Sequence, residues 1–215
     1  MNPTETCHQG ADSLLLMLPG ALMTPQHMVQ AGLFEALARS GVALDLVAPD
    51  LHAEGADNRI ALRRLADEWL VPARARYRRV WLGGISRGGQ LALSCWAAQV
   101  AAVDGLCLLA PYAGGRLTTN AIRRAGGLAA WRPEEAQMSD PDVRLWHGLQ
   151  APPPAVPMFM GYGARDRFAD GMGMLAQHLP LTGGCRVVLG DHDWSAWLPL
   201  WQQFLGAGLV GAETP

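Results

Sequence analysis

Short apolar runs alternate with longer amphipathic segments along this chain, and this alternation constrains the fold more than any other feature. The apolar runs are continuous, which is typical of strands buried on both faces of a parallel sheet. Six strands are predicted, at residues 13–18, 42–48, 79–85, 105–110, 156–161 and 185–189. Strands that alternate with helices indicate βαβ units, so we predict an α/β fold with about six parallel strands and helices on both faces.

Helices are predicted between these strands from helical spacing and from capping residues. Thr24 is a candidate N-cap before Pro25, and Gly41 is a candidate residue just past the end of that helix. The other predicted helices span residues 58–76, 88–100, 170–179 and 194–205. The stretch 111–157 breaks the rhythm and ends in a proline run. We interpret it as a cap-like insertion after the fourth strand of one domain spanning residues 1–215.

Charge and composition argue against several classes of protein. The net charge is -2, and all 17 basic residues are arginine without a basic stripe, so we expect no nucleic-acid partner. The first apolar run, 14–18, is too short for a signal peptide or a membrane span, so we expect a cytoplasmic protein. No metal or other cofactor is predicted, because metal-ligand spacing is missing among the cysteines, Cys7, Cys95, Cys107 and Cys185.

The third predicted strand ends in a Gly-x-Ser-x-Gly pentapeptide, Gly84-Ile85-Ser86-Arg87-Gly88, and a helix follows. A serine on a tight strand-to-helix turn presents its hydroxyl at the end of the sheet, and the flanking glycines let strand and helix approach closely. A nucleotide-binding turn is the competing interpretation. It is disfavoured because the segment lacks both Gly-x-Gly-x-x-Gly and the lysine of a P-loop. Ser86 is therefore a candidate nucleophile.

Strand, pentapeptide and helix together resemble the nucleophile elbow of the α/β-hydrolase superfamily, in which the catalytic residues follow the chain order Ser, acid, His. Asp166 comes three residues after Gly163, just beyond the fifth predicted strand, and His192 follows the sixth. The resemblance covers about residues 14–205. It implies that His192 is the general base and that Asp166 orients its ring.

Both partners have rivals in the sequence. Asp142 and Asp170 are alternative acids if Asp166 is only a turn residue. Among the other histidines, only His52 also follows a predicted strand end, so it is the main rival of His192.

The resemblance also implies an oxyanion hole. One donor is the backbone N–H of Arg87, the residue after the nucleophile. The other is expected in the loop after the first predicted strand, where we favour the amide of Ala21, with Leu22 next. The family's first two antiparallel strands are expected to be missing, because only about a dozen polar residues precede Leu14.

A substrate pocket is predicted where the loop after the first strand faces the 111–157 insertion, since both leave the carboxyl ends of parallel strands. Its candidate lining residues are Leu22, Met23, Leu145 and Trp146. The predicted function is hydrolysis of a small-molecule carboxylic ester, and the sequence leaves a homodimer open. A thioesterase is an alternative, with Arg63, Arg64 or Arg123 as candidates to bind a charged carrier. A non-catalytic binding protein of the same fold is the other alternative.

Overall fold

The strands of this protein form one sheet. The computed structural model describes residues 4–51 and 58–211. The sheet has seven strands in the order β1-β3-β2-β4-β5-β6-β7. The strands are β1 (Thr4–Cys7), β2 (Ser13–Leu18), β3 (Asp45–Pro49), β4 (Arg79–Ile85), β5 (Gly105–Leu109), β6 (Met158–Gly163) and β7 (Arg186–Val188). Strands β2 to β7 are all parallel, as the sequence predicted.

Burial explains why the central parallel strands were visible in the sequence. Every residue of β2, β3 and β5 is buried, so these strands need apolar side chains on both faces. In the register, Leu16 on β2 lies between Val47 on one neighbour and Leu82 on the other.

The seventh strand, β1, corrects the prediction that both of the family's first antiparallel strands are missing, because one antiparallel strand precedes the first apolar run. It pairs antiparallel with β3, with Thr4 opposite Pro49 and Cys7 opposite Leu46. Its four residues, Thr-Glu-Thr-Cys, are polar and half-exposed, because an edge strand buries little surface. A short polar edge has no apolar alternation, so the sequence pattern could not reveal it.

Helices connect the strands. The helices are α1 (Pro25–Gln30), α2 (Leu33–Ser40), α3 (Asn58–Arg64), α4 (Val71–Arg74), α5 (Arg87–Ala97), α6 (Arg116–Arg124), α7 (Pro141–Gly148), α8 (Ala169–Ala176) and α9 (Trp194–Gly206). α2 packs against α9, where the Trp201 indole N–H donates to the Leu33 carbonyl at 2.9 Å. α5 packs against α3 and α7. No helix in the described ranges is long and apolar enough to cross a membrane.

Two predicted helices are interrupted. The helix predicted to end at Gly41 is split into α1 and α2, because Gly32 adopts a left-handed conformation with φ of +85°. The helix predicted for 58–76 contains a π-helical segment, Leu65–Leu70, between α3 and α4. This π-helical segment, whose turns are wider than α-helical ones, lies just before Pro72. Proline has no N–H, so it cannot donate the next α-helical hydrogen bond.

Asp45, at the start of β3, ties the N-terminal segment to the sheet. Its side chain is 4% exposed. The carboxylate accepts hydrogen bonds from the backbone N–H groups of Gln9 and Ala11, the His8 ring and the Tyr77 hydroxyl, at 2.8, 3.1, 3.1 and 2.9 Å. Burial alone raises the pKa of the Asp45 carboxyl, but these hydrogen bonds together outweigh burial, so its pKa lies below the ordinary value.

We expect Asp45→Asn to lower the free energy of unfolding by about 1–3 kcal/mol near neutral pH, because the amide cannot accept all four hydrogen bonds. A carboxyl with a lowered folded-state pKa stabilises the protein above its unfolded pKa of about 3.9, and this contribution is lost as pH falls through the folded pKa. The difference between wild type and variant should therefore shrink below about pH 4. Urea unfolding across the acid range checks this, with the exposed Asp12→Asn as control. An unchanged difference at all pH values would contradict it.

Candidate active site

Ser86 lies on the turn between β4 and α5 in a conformation that non-glycine residues rarely adopt, with φ of +52° and ψ of -113°. Three hydrogen bonds hold the turn. The Ser86 N–H donates to the Leu109 carbonyl at 3.0 Å, and the Ser86 carbonyl accepts from the N–H groups of Gln90 and Tyr112 at 3.0 and 2.9 Å. Such strain persists only where the surroundings fix the backbone, and it is concentrated at functional sites.

Gly84 and Gly88 allow the close packing that this turn requires. A Cβ on Gly84 would lie 2.2 Å from the backbone of Gly88. A Cβ on Gly88 would lie 2.2 Å from the carbonyl oxygen of Leu18, the last residue of β2, and 2.5 Å from that of Pro19 in the loop that follows. These distances are far below van der Waals contact, so the glycines of the pentapeptide are needed for the approach of strand, helix and loop.

The structure brings the three predicted catalytic side chains together. The Ser86 Oγ lies 2.8 Å from His192 Nε2, and His192 Nδ1 lies 2.5 Å from Asp166 Oδ2. An ionised carboxylate only accepts, so Nδ1 carries the proton and donates to Asp166, which leaves Nε2 of the neutral ring to accept from the Ser86 hydroxyl. The Asp166 side chain has no exposed surface, and the His192 side chain is 11% exposed.

Both oxygens of the Asp166 carboxylate have partners, because Oδ1 accepts the Phe168 N–H at 2.8 Å. The rival acids are bound elsewhere. Asp142 accepts from the Gln90 side chain and the Gly115 N–H, each at 2.7 Å. Asp170 is 81% exposed and pairs with Arg123 at 2.8 Å. The rival His52 lies outside the described residues.

The loops that carry Asp166 and His192 are tied to each other by backbone contacts. The Arg165 N–H donates to the Gly190 carbonyl at 3.0 Å, and the Arg165 side chain pairs with Asp191 at 3.3 Å. Asp193 caps α9 by accepting the Ser195 N–H at 2.8 Å. Asp193 is therefore a helix cap, whereas its neighbour Asp191 forms an ion pair.

Two aromatic rings pack against the His192 imidazole, and no sequence pattern predicted either contact. The Phe168 ring packs edge-on against it with a centroid distance of 4.9 Å, and the Trp197 ring does so at 5.3 Å. Tyr112 in turn contacts Phe168 at 5.4 Å. These residues lie in loops or on a helix face without distinctive spacing. The only signal was the position of Phe168 two residues after Asp166 and of Trp197 five after His192.

The two backbone amides predicted to bind an oxyanion belong to the residue after Ser86 and to the loop after β2. The Arg87 N–H lacks an intrahelical acceptor, because Arg87 is the first residue of α5. The loop after β2 makes a tight turn in which the Met23 N–H donates to the Gly20 carbonyl at 3.1 Å, and Leu22 has φ of +57°. Within residues 4–51 and 58–211, the amide of Ala21 in this turn has no hydrogen-bond partner.

Of the two predicted pocket residues in the loop after β2, Met23 lies near Ser86. A Cβ built on Gly20 would lie 3.5 Å from the Ser86 Cβ and 3.6 Å from the Met23 methyl, so Met23 and Ser86 flank Gly20. Leu22 is 98% exposed.

Leu145 and Trp146 do not line the site, which corrects the prediction. They are 1% and 0% exposed on α7, and the Trp146 indole N–H donates to the Ala113 carbonyl at 2.7 Å. The face of α7 that carries them is buried, so they are packing residues.

Three of the four cysteines are not competing nucleophiles. Burial raises the pKa of Cys95 and Cys185 to about 11, and it raises that of Cys107 well above the ordinary value. These thiols stay protonated near neutral pH. In the described part of the chain, no group of three or more potential ligand residues is arranged to hold a metal ion.

Comparison with protein-family models and with curated proteins finds no match. Solved structures do match. FphF, a fluorophosphonate-binding serine hydrolase of Staphylococcus aureus, is 13% identical with a TM-score of 0.66 and covers 95% of this chain and 86% of its own. The S-formylglutathione hydrolase FrmB of the same organism is 13% identical with a TM-score of 0.63, covering 93% and 81%. The type II thioesterase BorB from the borrelidin biosynthetic cluster is 18% identical with a TM-score of 0.53, covering 95% of each chain.

At sequence identities this low, the structural similarity is evidence for the fold alone. The likeness extends over nearly the whole chain, and it agrees with the mostly parallel sheet and with the position of the Ser86 turn between a central strand and a helix. The chain therefore has the α/β-hydrolase fold.

Proposed function

We propose that this protein is a serine hydrolase that cleaves a carboxylic ester through an acyl-enzyme. The observation that supports this most directly is the continuous hydrogen-bonded series from Ser86 through His192 to Asp166, with separations of 2.8 and 2.5 Å. Nucleophile, base and orienting acid within hydrogen-bond reach are the arrangement that covalent acyl transfer requires.

In the first half of the reaction, His192 Nε2 accepts the hydroxyl proton as the Ser86 oxygen attacks the ester carbonyl carbon. The resulting imidazolium is stabilised by the buried Asp166 carboxylate, which also keeps the proton on Nδ1. The tetrahedral intermediate then collapses, the alkoxy group leaves with the proton from Nε2, and the acyl group remains on Ser86. In the second half, His192 activates water to release the acid.

The negative charge on the intermediate requires donors that are already in place. We assign this role to the N–H groups of Arg87 and Ala21, which come from the first turn of α5 and from the turn after β2. One such donor is worth about 3–4 kcal/mol of transition-state stabilisation.

Substrate access is proposed between the turn after β2 and the first residues of the 111–157 insertion. Met23 lies near Ser86. Tyr112 is also close to Ser86, because its N–H donates to the Ser86 carbonyl, and its ring contacts Phe168. In this interpretation the insertion borders the site through its first residues rather than through α7.

The same residues would also cleave a thioester, because acylation of Ser86 differs only in the leaving atom. Two of the matched structures carry names of thioester-cleaving enzymes, an S-formylglutathione hydrolase and a type II thioesterase. Paired oxygen and sulfur esters of one acid separate the two activities. A binding protein without catalysis would not need all three side chains in contact.

We expect a fluorophosphonate to label Ser86 covalently, because His192 makes its hydroxyl nucleophilic. Mass spectrometry of the labelled, digested protein would locate the adduct. Ser86→Ala should abolish labelling, whereas Ser40→Ala on α2 should leave it unchanged. An adduct elsewhere, or no adduct on folded protein, would refute the assignment of the nucleophile.

Asp166→Asn should fold normally and lose about 10³- to 10⁴-fold in kcat, because an amide no longer fixes the required tautomer of His192. Steady-state hydrolysis of a p-nitrophenyl ester measures this. Asp170→Asn, which removes a carboxylate that is 81% exposed, is the matched control and should keep most activity. The wrong carboxylate has been assigned if Asp170→Asn abolishes turnover and Asp166→Asn preserves it.

A further inference from the structure

Two of the rings near His192 are in edge-to-face contact with each other, and we call this pair, Tyr112 and Phe168, the aromatic shelf. Their centroids are 5.4 Å apart, and Phe168 contacts the His192 ring at 4.9 Å. Both residues are half-buried. Whatever rests on the shelf therefore lies beside the reacting groups.

An arginine lies against each ring of the shelf. The Arg87 Cζ is 5.3 Å from the Tyr112 centroid, and the Arg167 Cζ is 4.8 Å from the Phe168 centroid. Cation–π contact at these distances orients a guanidinium but does not neutralise its charge. The N–H groups at the edges of both guanidinium planes remain able to bind an anion.

The carboxylates in this region leave much of that positive charge unbalanced. Arg87 lies 3.7 Å from Asp142, whose oxygens also accept from Gln90 and Gly115, and the Arg87 side chain stays 40% exposed. Arg167 is exposed, and in the part of the chain that the structure describes no carboxylate lies within 4 Å of its guanidinium.

The acids nearest in sequence to the two catalytic loops already have partners. Asp191 pairs with Arg165 at 3.3 Å, and Asp170 pairs with Arg123 at 2.8 Å. Asp193 is used in capping α9, by accepting from Ser195. Among the described residues, Arg167 is thus a cation in contact with Phe168 near the active site that takes part in no ion pair.

We infer that the substrate carries an anionic group, a carboxylate or a phosphate, which binds to Arg167 and Arg87 at the edge of the aromatic shelf. This inference rests on the proposed function and specifies its substrate class. A guanidinium fork is suited to both anions, because it donates two parallel hydrogen bonds to adjacent oxygens.

The anion has two chemical sources, and the assay separates them. In one, it is the free carboxylate of a dicarboxylic acid esterified at its other end, so it belongs to the acyl group. In the other, it belongs to the leaving group, as in a phosphorylated thiol or alcohol carrier.

The experiment measures kcat/KM for matched anionic and neutral substrates. The acyl arm compares p-nitrophenyl half-esters of dicarboxylic acids, from succinate to suberate, with neutral esters of equal chain length. The leaving-group arm compares acyl-coenzyme A with the neutral N-acetylcysteamine thioester of the same acid. We expect at least about a tenfold preference for the anionic member in one arm, decreasing as salt is added.

Arg167→Met should reduce that preference by about tenfold or more, because it keeps the apolar stem and removes the charge. Arg167→Glu should reverse the preference, so that an ester with a terminal ammonium group becomes the better substrate. Arg39→Met is the control, since Arg39 only pairs with Glu35 on the surface of α2. Arg39→Met should leave kcat/KM unchanged for both the anionic and the neutral substrate.

The outcomes distinguish this inference from the function on which it rests. If neutral esters are hydrolysed and Ser86 is labelled, but neither arm shows a preference for the anion, the inference is overturned and the hydrolase assignment stands. A preference that survives unchanged in Arg167→Glu would also overturn it. If folded protein hydrolyses no substrate and is not labelled by the fluorophosphonate, both the anionic-substrate inference and the hydrolase proposal are overturned.

Discussion

The strained turn at Ser86 is the constraint on which the rest of the site depends. A non-glycine residue with φ of +52° costs about 1–3 kcal/mol unless its surroundings hold it there. Here the neighbouring strand, the first turn of α5 and the start of the insertion each bind the backbone of this one residue. The turn directs the hydroxyl away from the sheet, and the Arg87 amide follows at the start of the helix. Nucleophile and proposed oxyanion donor are therefore positioned by one backbone conformation.

The other half of the site depends on the far edge of the same sheet. β6 and β7 are parallel neighbours, so the loops after them leave the sheet side by side. Close approach of Gly163 to Gly190 lets these loops touch, since a Cβ on Gly163 would lie 2.4 Å from the Gly190 oxygen. Asp166 and His192 consequently meet although they belong to different βα units. The parallel sheet thus converts an order along the chain into a contact in space.

Particular residues show how far sequence reasoning reached. Ser86, Asp166 and His192 could be proposed because each follows a predicted strand in the order that the resemblance implies and because a motif marks the first of them. Strand β1 could not be predicted, since a polar edge strand has no apolar pattern. Leu145 and Trp146 were assigned to the pocket because their segment was placed near the site, but which face of α7 is buried depends on its packing against α5. The aromatic shelf had no spacing that would reveal it.

By itself, the sequence determined the α/β class, the six parallel strands and the identity of the candidate catalytic residues, because central strands buried on both faces require continuous apolar runs and the turn at Ser86 requires glycines on either side of it. Only the tertiary structure decided which carboxylate meets His192, which apolar side chains face the site and which arginines lie on the aromatic shelf. These are contacts between segments distant along the chain, and they depend on loop conformation and helix packing, for which the local sequence carries no periodic signal.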